Sequence, residues 1–359
     1  MYIKRLVVNN FRNLEYIEFK PSCHFNVIYG FNGSGKTSIL EAISYLALAR
    51  SFRGYNYQYL IRSGQKSFSV FANVAESNTD LANDIGISRG RSEDLQIKIN
   101  GANITRLVDL IDKVCIQVIH PQGTDLITEG PEIRRNFIDW GVYYIEPSFK
   151  DLWFNYRRAL KQRNILLKKN ASDLEIEVWD ELLGSLSEKI DELRLNYLEK
   201  LSIILQEQCQ QFLPQFNLNF ELNSGWKKDL SLRSLLAQSL EKDRVLGYTY
   251  YGCHRADLKI KANSISAGAT LSRGQLKLLV CAMRLSQGLL LKQQTGRSCI
   301  YLIDDLNSEL DINSQKILLN NVKQCNSQVF ITNISREMML PNDVEVNYIG
   351  LNNGFLENS

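Results

Sequence analysis

The spacing of apolar residues differs between the ends and the middle of the chain. In residues 1–110, apolar runs at 3–8 and 25–29 are typical of strands, and residues 38–50 carry a broad apolar face at helical spacing. A further strand is indicated by apolar residues at every second position, namely Phe68, Val70, Ala72 and Val74. This region therefore predicts a mixed sheet beside one helix.

Residues 131–213 are poor in glycine and proline and rich in charged, helix-favouring residues. Apolar residues recur there every three or four positions, at Leu182, Leu186, Ile190, Leu193, Tyr197, Leu201 and Ile204. One such stripe predicts a hairpin of helices with a reach of roughly 40 Å, at about 1.5 Å per residue, rather than a long coiled coil.

The remaining segments return to mixed patterns. Residues 217–260 predict short strands with one helix, and residues 271–359 alternate helix, strand, helix and strand. The sequence therefore predicts an α/β protein whose two end segments, 1–120 and 251–359, form one lobe. A mainly helical insertion, 121–250, would form a second lobe with a short arm.

Composition narrows the functional class only slightly. A chain of 359 residues allows two domains or one domain with a large insertion, and 23% charged residues is ordinary for a globular protein. The net charge of +3 is too close to neutral to indicate nucleic-acid binding by itself. No apolar run approaches the roughly 18 residues of a membrane span, and the start lacks a signal-peptide pattern, so we expect no membrane association. Seven cysteines without a CxxC pair favour reduced thiols in the cytosol.

The strongest motif is a glycine-rich loop between an apolar strand and an amphipathic helix. It fits GxxxxGK[ST] and comprises Gly30, Phe31, Asn32, Gly33, Ser34, Gly35, Lys36 and Thr37. Its glycines let backbone amides turn towards phosphate oxygens at the start of a helix. Lys36 would meet the β- and γ-phosphates, and the Thr37 hydroxyl would bind Mg²⁺. The alternative is a chance glycine-rich turn.

A second motif lies far along the chain. The apolar run at 299–303 predicts a buried parallel strand, and it ends in Asp304 and Asp305. Asp304 would bind the Mg²⁺ or its waters, and Asp305 would orient or deprotonate an attacking water. Taken alone, such a pair of acids could instead cap a loop.

A third motif, LSRGQ, opens an apolar helix about thirty residues before that strand. The order of phosphate loop, LSRGQ, strand with paired aspartates and then the D-loop ending at Asp311 is that of ABC-type ATPases. In that class the motif, here Ser272, Arg273, Gly274 and Gln275, completes the γ-phosphate site of a partner subunit. Ser272 is also a good helix N-cap, which is the plainer interpretation. The expected fold is an ABC-type P-loop ATPase head that is split in sequence.

Several further segments make the chain similar to the RecF family of bacterial recombination mediators. They include Asn10–Asn13, Arg50–Arg53, GPEIRRNFIDWG at 130–141, GCHRADL at 252–258 and LIDDLNSELD at 302–311. The resemblance covers nearly the whole chain. It implies ATP and Mg²⁺ as cofactors, with Arg12 and Gln122 as further nucleotide contacts.

The same resemblance implies a cytoplasmic, nucleoid-associated and weak DNA-stimulated ATPase that dimerises with ATP. It would act with RecO and RecR to place RecA on gapped DNA or at single-strand/double-strand junctions, in recombinational repair, the SOS response and replication restart. One alternative is a scaffold head that binds nucleotide without productive hydrolysis. Another is a soluble ABC subunit of a different system.

Three differences from the usual ABC pattern limit how far the roles of ABC-family residues can be assigned to this chain. Asp305 stands where most of them have glutamate, which suits slow turnover. Gln122 is the best candidate for the Q-loop glutamine, after His120. Asn333 follows the last core strand where transporters carry a switch histidine, so the residue that senses the γ-phosphate is not assigned.

Basic residues in the insertion are the candidates for DNA contact. The segment 157–169 holds six of them, including Arg157, Arg158, Lys161 and Arg163, and no acid occurs from 152 to 172. Arg134 and Arg135 at the entry of the insertion are independent candidates. The alternative is that these bases neutralise the acidic stretch 173–199 on a neighbouring helix. Aromatic residues for base stacking are sparse, so contacts to a duplex backbone near a junction suit the segment better.

Overall fold

The computed structural model describes residues 1–54, 56–76, 81–92, 94–120, 123–306 and 310–357. The chain divides into two compact units. Unit 1 joins Met1–Gly123 to Lys277–Ser359, and unit 2 is Thr124–Leu276. The insertion therefore ends later than the boundary at 250 that the sequence pattern suggested, because residues 257–262 pair with a strand inside unit 2.

The strands are β1 (Tyr2–Phe11), β2 (Leu14–Phe19), β3 (Phe25–Tyr29), β4 (Ser67–Ala75), β5 (Ala82–Gly90), β6 (Gln96–Ile99), β7 (Ala102–Asn103), β8 (Ile116–Ile119), β9 (Leu218–Asn223), β10 (Asp257–Ala262), β11 (Ile265–Ser266), β12 (Ile300–Ile303), β13 (Val329–Asn333), β14 (Val346–Asn352) and β15 (Phe355–Leu356). The helices are α1 (Lys36–Leu48), α2 (Leu107–Ile111), α3 (Asp125–Thr128), α4 (Pro131–Ile145), α5 (Phe149–Lys168), α6 (Asp173–Phe212), α7 (Leu232–Gln238), α8 (Leu240–Leu246), α9 (Ala267–Thr270), α10 (Arg273–Thr295) and α11 (Ile312–Gln324). Short 3₁₀ helices occur at Tyr57–Leu60 and Cys253–Arg255.

A largely parallel sheet forms the centre of unit 1. Its strand order is β15-β14-β3-β13-β12-β8, and β15 alone runs antiparallel, to β14. Strand β12 is buried at every position, as its unbroken apolar sequence predicted. Strand β3 from the start of the chain lies between β13 and β14 from its end. The two end segments therefore build one sheet together.

A second, antiparallel sheet of unit 1 has the order β2-β1-β4-β5-β6-β7. The predicted alternation in β4 is confirmed, because its even-numbered positions from Phe68 to Val74 are buried. Phe11, Tyr45 and Phe68 meet edge to face at centroid distances of 5.1 to 6.3 Å. These rings attach the last turn of helix α1, where Tyr45 lies, to this sheet.

Unit 2 contains a helical hairpin, α5 and α6, and a small sheet of order β11-β10-β9. Helix α6 begins at a capping box, in which the side chain of Ser172 accepts a hydrogen bond from the backbone N–H of Glu175, and the side chain of Glu175 accepts one from the backbone N–H of Ser172. It runs for 40 residues, or about 60 Å, whereas its hairpin partner α5 has 20 residues, or about 30 Å. The predicted stripe spans residues 182–204, whereas the buried residues of this helix extend from Ile176 to Phe212, and Leu182 is exposed. Among the described helices, none is long and apolar enough to cross a membrane.

Candidate nucleotide-binding site

The glycine-rich loop connects β3 to α1 in unit 1. Gly33 and Gly35 adopt φ values of 82° and 110°, a left-handed backbone that favours glycine. Gly35 caps α1 without a side-chain acceptor, so the first amide groups of the helix are available to an anion. The Asn13 amide donates to the Gly33 carbonyl at 2.9 Å, and the Ser38 hydroxyl donates to Asn13 at 2.8 Å. These two bonds fix the loop to the β1–β2 turn.

Lys36 lies at the first position of α1. Its Nζ donates to the carbonyl oxygens of Gly30 at 2.7 Å and Phe31 at 2.9 Å. Burial lowers the pKa of Lys36, while the nearby carboxylates of Asp305 and Asp304 act in the opposite direction. The ammonium group is thus held beside the loop, in the position where it can move onto a phosphate oxygen.

Asp304 brings the distant strand β12 into the same cleft. Its Oδ1 accepts hydrogen bonds from the hydroxyls of Thr37 at 2.9 Å and Thr332 at 2.8 Å. Burial raises the pKa of Asp304, and these two hydrogen bonds partly oppose that shift. A threonine hydroxyl beside a carboxylate offers the hard oxygen ligands that Mg²⁺ prefers, with its other positions left to phosphate and water. The residues present therefore fit this ion.

The cleft has a volume of about 870 Å³ and includes residues that the sequence reasoning did not assign. Arg53, Tyr59 and Arg91 line it and are exposed. Arg12, which was expected to contact the nucleotide, also lines the cleft, and its Nε and Nη2 donate to Glu41 at 2.8 and 2.7 Å. Arg53 stands in a motif that carried the family resemblance, whereas Tyr59, in a 3₁₀ helix, and Arg91, just after β5, belong to no motif. Only the fold brings Tyr59 and Arg91 to the cleft.

The structure describes one of the two candidate residues for sensing the γ-phosphate, Asn333, but not the other. Gln122 lies outside the described residues. Burial, with Arg284 and Arg53 nearby, lowers the pKa of the neighbouring His120 to about 4. Asn333 does not line the described cleft; its amide donates to the carbonyls of Ser335 at 2.8 Å and Glu337 at 3.2 Å. The residue at the switch position thus holds a loop, and the preceding residue, Thr332, faces the cleft.

The LSRGQ motif lies at the start of α10, within unit 2. Ser272 and Gln275 form a capping box. The backbone N–H of Gln275 donates to the Ser272 hydroxyl at 3.3 Å, and the backbone N–H of Ser272 donates to the side-chain Oε1 of Gln275 at 2.9 Å. Ser272, Arg273 and Gly274 are exposed. Asp311 also caps a helix, since its carboxylate accepts from the amides of Asn313 and Ser314 at 3.0 Å each. Both motifs therefore have a local structural role whatever else they do.

Three of the proposed DNA-contacting arginines are hydrogen-bonded to other residues of unit 2, and one of them is fully buried. Arg163 is fully buried and donates to Asp180 at 2.5 Å and to Asp243 at 2.6 Å. The guanidinium group of Arg134 donates hydrogen bonds to the Asp257 carboxylate and to two backbone carbonyls. Arg135 is half-buried and donates to the Ala256 carbonyl at 2.8 Å. The sequence prediction was therefore wrong for Arg163, because this residue occupies the inner face of α5.

Arg157, Arg158 and Lys161 lie on the opposite, exposed face of α5. Within the part of the chain that the structure describes, these three have no ion pair with the acids of α6. The pair that does join the two helices is the buried one between Arg163 and Asp180. Direct pairing with α6 therefore does not account for the exposed residues in the described chain, which favours a basic surface over mutual neutralisation.

Comparisons with known proteins agree with this geometry. The family model described as RecF/RecN/SMC N terminal domain matches residues 2–354. The DNA replication and repair protein RecF of Aliivibrio salmonicida is 41% identical over 339 residues, which is 94% of each chain. The RecF protein of Vibrio cholerae is 40% identical over 342 residues, again 94% of each chain.

Solved structures give the same result. The recombination mediator protein RecF with ATP, from the RecFOR pathway, superposes with a TM-score of 0.87 at 29% identity, covering 99% of this chain and 97% of that one. An Smc head bound to part of ScpA superposes with a TM-score of 0.63 at 16% identity, which shows a shared fold.

A phosphate loop on a parallel sheet, a strand-end aspartate beside it and a signature helix farther along the chain define an ABC-type, SMC-like ATPase head. Within that class, the chain belongs to the RecF branch of the RecF/RecN/SMC N-terminal domain family.

Proposed function

We propose that the chain is an ATP-dependent DNA clamp: ATP closes a dimer on DNA, and slow hydrolysis releases it. The observation that carries this proposal is the 2.9 Å hydrogen bond from Thr37 to Asp304, which joins two motifs 267 residues apart. When bound, Mg²⁺ would neutralise the charge that develops on the phosphates. Thr37 and Asp304 would hold it, and Asp305 would orient the attacking water.

Dimerisation is inferred from the exposed signature motif. The backbone of Gly274 is ordinary helix, and a methyl group built there would meet nothing within 4 Å in the described chain beyond its chain neighbours and the backbone of its own helix. No contact within one subunit therefore requires glycine at this position. A close approach by the phosphates of a partner subunit would require it. This supports the proposal that Ser272 and Gly274 complete the site of a second copy.

The DNA surface that we propose consists of Arg157, Arg158 and Lys161 on α5. Exposed cations along one helix face bind the phosphate backbone and release counterions, which makes the affinity depend on salt. Replacing all three by alanine should weaken DNA binding and reduce the slope of log affinity against log salt by about 3. Lys189→Ala, at an exposed lysine on α6, is the matched control. An unchanged slope in the triple variant would place the DNA surface elsewhere.

In the cell, we propose that the clamp assists RecO and RecR in placing RecA on gapped DNA. The supporting observation is the family, because a RecF structure similar to this chain is described as a mediator in the RecFOR pathway. The same family disfavours a soluble ABC subunit of another system.

ATP turnover with and without gapped DNA tests the proposed function against a non-hydrolysing scaffold. We expect slow hydrolysis that DNA accelerates. Asp304→Asn and Asp305→Asn should still bind nucleotide but lose turnover, since one disturbs the metal ligand and the other the water. A wild-type chain that binds ATP without turnover, with or without DNA, would instead indicate the scaffold.

A further inference from the structure

We propose that Thr332 is a positioning residue for ATP hydrolysis, because its single hydroxyl group fixes both aspartates that follow β12. This inference rests on the proposed ATPase function. Thr332 lies near the end of β13, it is 1% exposed, and it lines the nucleotide cleft. No motif of the sequence marks it.

The first contact of Thr332 orients the metal ligand. Its Oγ1 donates to Asp304 Oδ1 at 2.8 Å, the oxygen that also accepts from Thr37. A Thr37 hydroxyl that binds a metal ion through an oxygen lone pair can still donate its proton to Asp304. Thr332, which would not bind the ion, provides a second and independent hold on the same carboxylate oxygen. Outer partners of this kind set the direction of a metal ligand.

The second contact of Thr332 holds the backbone of Asp305. The Asp305 N–H donates to Thr332 Oγ1 at 2.7 Å. Asp305 has a φ of 51°, a left-handed conformation that is uncommon for a residue with a side chain. Such a conformation persists only where its surroundings fix it. The hydroxyl that accepts from Asp305 donates to Asp304, so the two acids are coupled through one atom.

The adjacent strand explains why this arrangement is stable. Strand β13 runs parallel to β12, and Ile303 pairs with Ile331 in register. Thr332 therefore lies beside the point where the chain leaves β12 at Asp304. Valine has the shape of threonine without its hydroxyl, so Thr332→Val removes both hydrogen bonds while filling the same space. Thr332→Ser keeps the hydroxyl and loses one methyl group.

The test compares Mg²⁺-linked ATP binding and turnover in these variants. For Thr332→Val we expect kcat to fall about 10- to 100-fold, the usual effect of removing an outer partner of a metal ligand. The factor by which Mg²⁺ strengthens ATP binding should shrink, while ATP affinity in EDTA stays unchanged. Thr332→Ser should restore both quantities. Thr295→Val, the same chemical change at the end of α10 and outside the described cleft, is the control.

Two results would overturn the proposal. One is a Thr332→Val protein with wild-type kcat and wild-type Mg²⁺ linkage. The other is a serine variant as impaired as the valine variant, since that would trace the effect to packing. Thr332→Ala repeats the test if valine prevents folding, and loss of the fold in both would make the residue purely structural. Absence of turnover in the wild-type chain would contradict the proposed function instead, and the Mg²⁺-linked binding would still decide the role of Thr332.

Discussion

At the scale of single residues, the cleft holds a lysine cation whose contribution to ATP binding can be measured by substitution. The Lys36 ammonium group is held by two carbonyl oxygens of its own loop, next to the Asp304 carboxylate. The carbonyls orient the cation without neutralising it. A phosphate group would therefore gain a charged donor that is already in place, at the end of a helix that favours anions.

Removing that cation should abolish tight ATP binding. We expect Lys36→Met to bind ATP about 10- to 100-fold more weakly, which corresponds to the 1.5–3 kcal/mol that a hydrogen bond to a charged group contributes. Titration with a fluorescent ATP analogue measures this. Lys98→Met, at an exposed lysine of β6, should bind like the wild type. Wild-type affinity in Lys36→Met would remove the loop from the nucleotide site.

A second prediction concerns His254 in unit 2. Its Nε2 lies 3.1 Å from the Thr249 carbonyl, which can only accept, so Nε2 carries the proton and Nδ1 accepts from the Tyr156 hydroxyl at 2.6 Å. Burial, together with Arg255, Arg135 and Arg163, lowers the pKa of His254 to about 4. The neutral imidazole therefore belongs to the folded state.

The sign of the pH dependence follows from that shift. Between pH 6.5 and about 4 the unfolded chain binds a proton at this histidine and the folded chain does not, so the free energy of unfolding falls as the pH falls. The slope from this group reaches at most about 1.4 kcal/mol per pH unit. Urea unfolding at several pH values should show a shallower dependence for His254→Gln than for the wild type. Equal slopes in this window would mean that His254 is protonated in the folded state.

At the scale of elements, helix α5 has two basic faces with different roles. Arg163 faces inward between Asp180 of α6 and Asp243 of α8, whereas Arg157, six residues earlier, faces outward. The inner arginine ties three helices together. The outer one has no such function in the described chain.

Substituting methionine at each position should separate these roles. Arg163→Met leaves two buried carboxylates without their cation and should destabilise the fold by about 3–5 kcal/mol. Arg157→Met should change stability by less than about 0.5 kcal/mol but weaken DNA binding. Chemical denaturation and a DNA titration at fixed salt measure the pair. Equal stability of the two variants would contradict the assignment of Arg163 to the core.

The elements also show what sequence reasoning can reach. Periodicity located β4 and the long helical segment, because burial of one face selects apolar residues at regular intervals. An unbroken apolar run located β12, because that strand is buried at every position. The phosphate loop and Asp304 were found because their chemistry requires fixed residue types. Periodicity could not distinguish Arg163 from Arg157, since both positions carry the same charge and only packing differs. Thr332 was missed because a threonine in a buried strand is ordinary until a strand from elsewhere places Asp304 beside it.

At the scale of the whole molecule, ATP and ADP differ by one phosphate group, which can shift a dimer equilibrium only through contacts across the interface. In the proposed clamp these contacts come from Ser272 and Gly274 of a second copy. Two such sites in a symmetric dimer double the effect.

A bulky cation at this position should separate ATP binding from closure. We expect Ser272→Arg to bind ATP near normally, to remain monomeric with ATP and to lose DNA-stimulated hydrolysis. Its DNA affinity should no longer respond to ATP. Sedimentation with ATP provides the measurement, and Ser272→Asn, which keeps a helix-capping side chain, is the milder companion variant. A stable ATP-dependent dimer of the arginine variant would rule out the in-trans site.

The position of β3 between β13 and β14 has a consequence for synthesis of the chain on the ribosome. Phe25 pairs with Val329 and with Val346, so the strand that leads into the phosphate loop waits for about 300 further residues before either neighbour emerges. At about 5–20 residues per second, that wait is roughly 15–60 seconds. Unit 2 is complete well before then and can fold first. The nascent chain therefore acquires its nucleotide site only after residues 329–333 have been made, and a ribosome that stalls between residues 276 and 329 carries a complete unit 2 without an assembled nucleotide site.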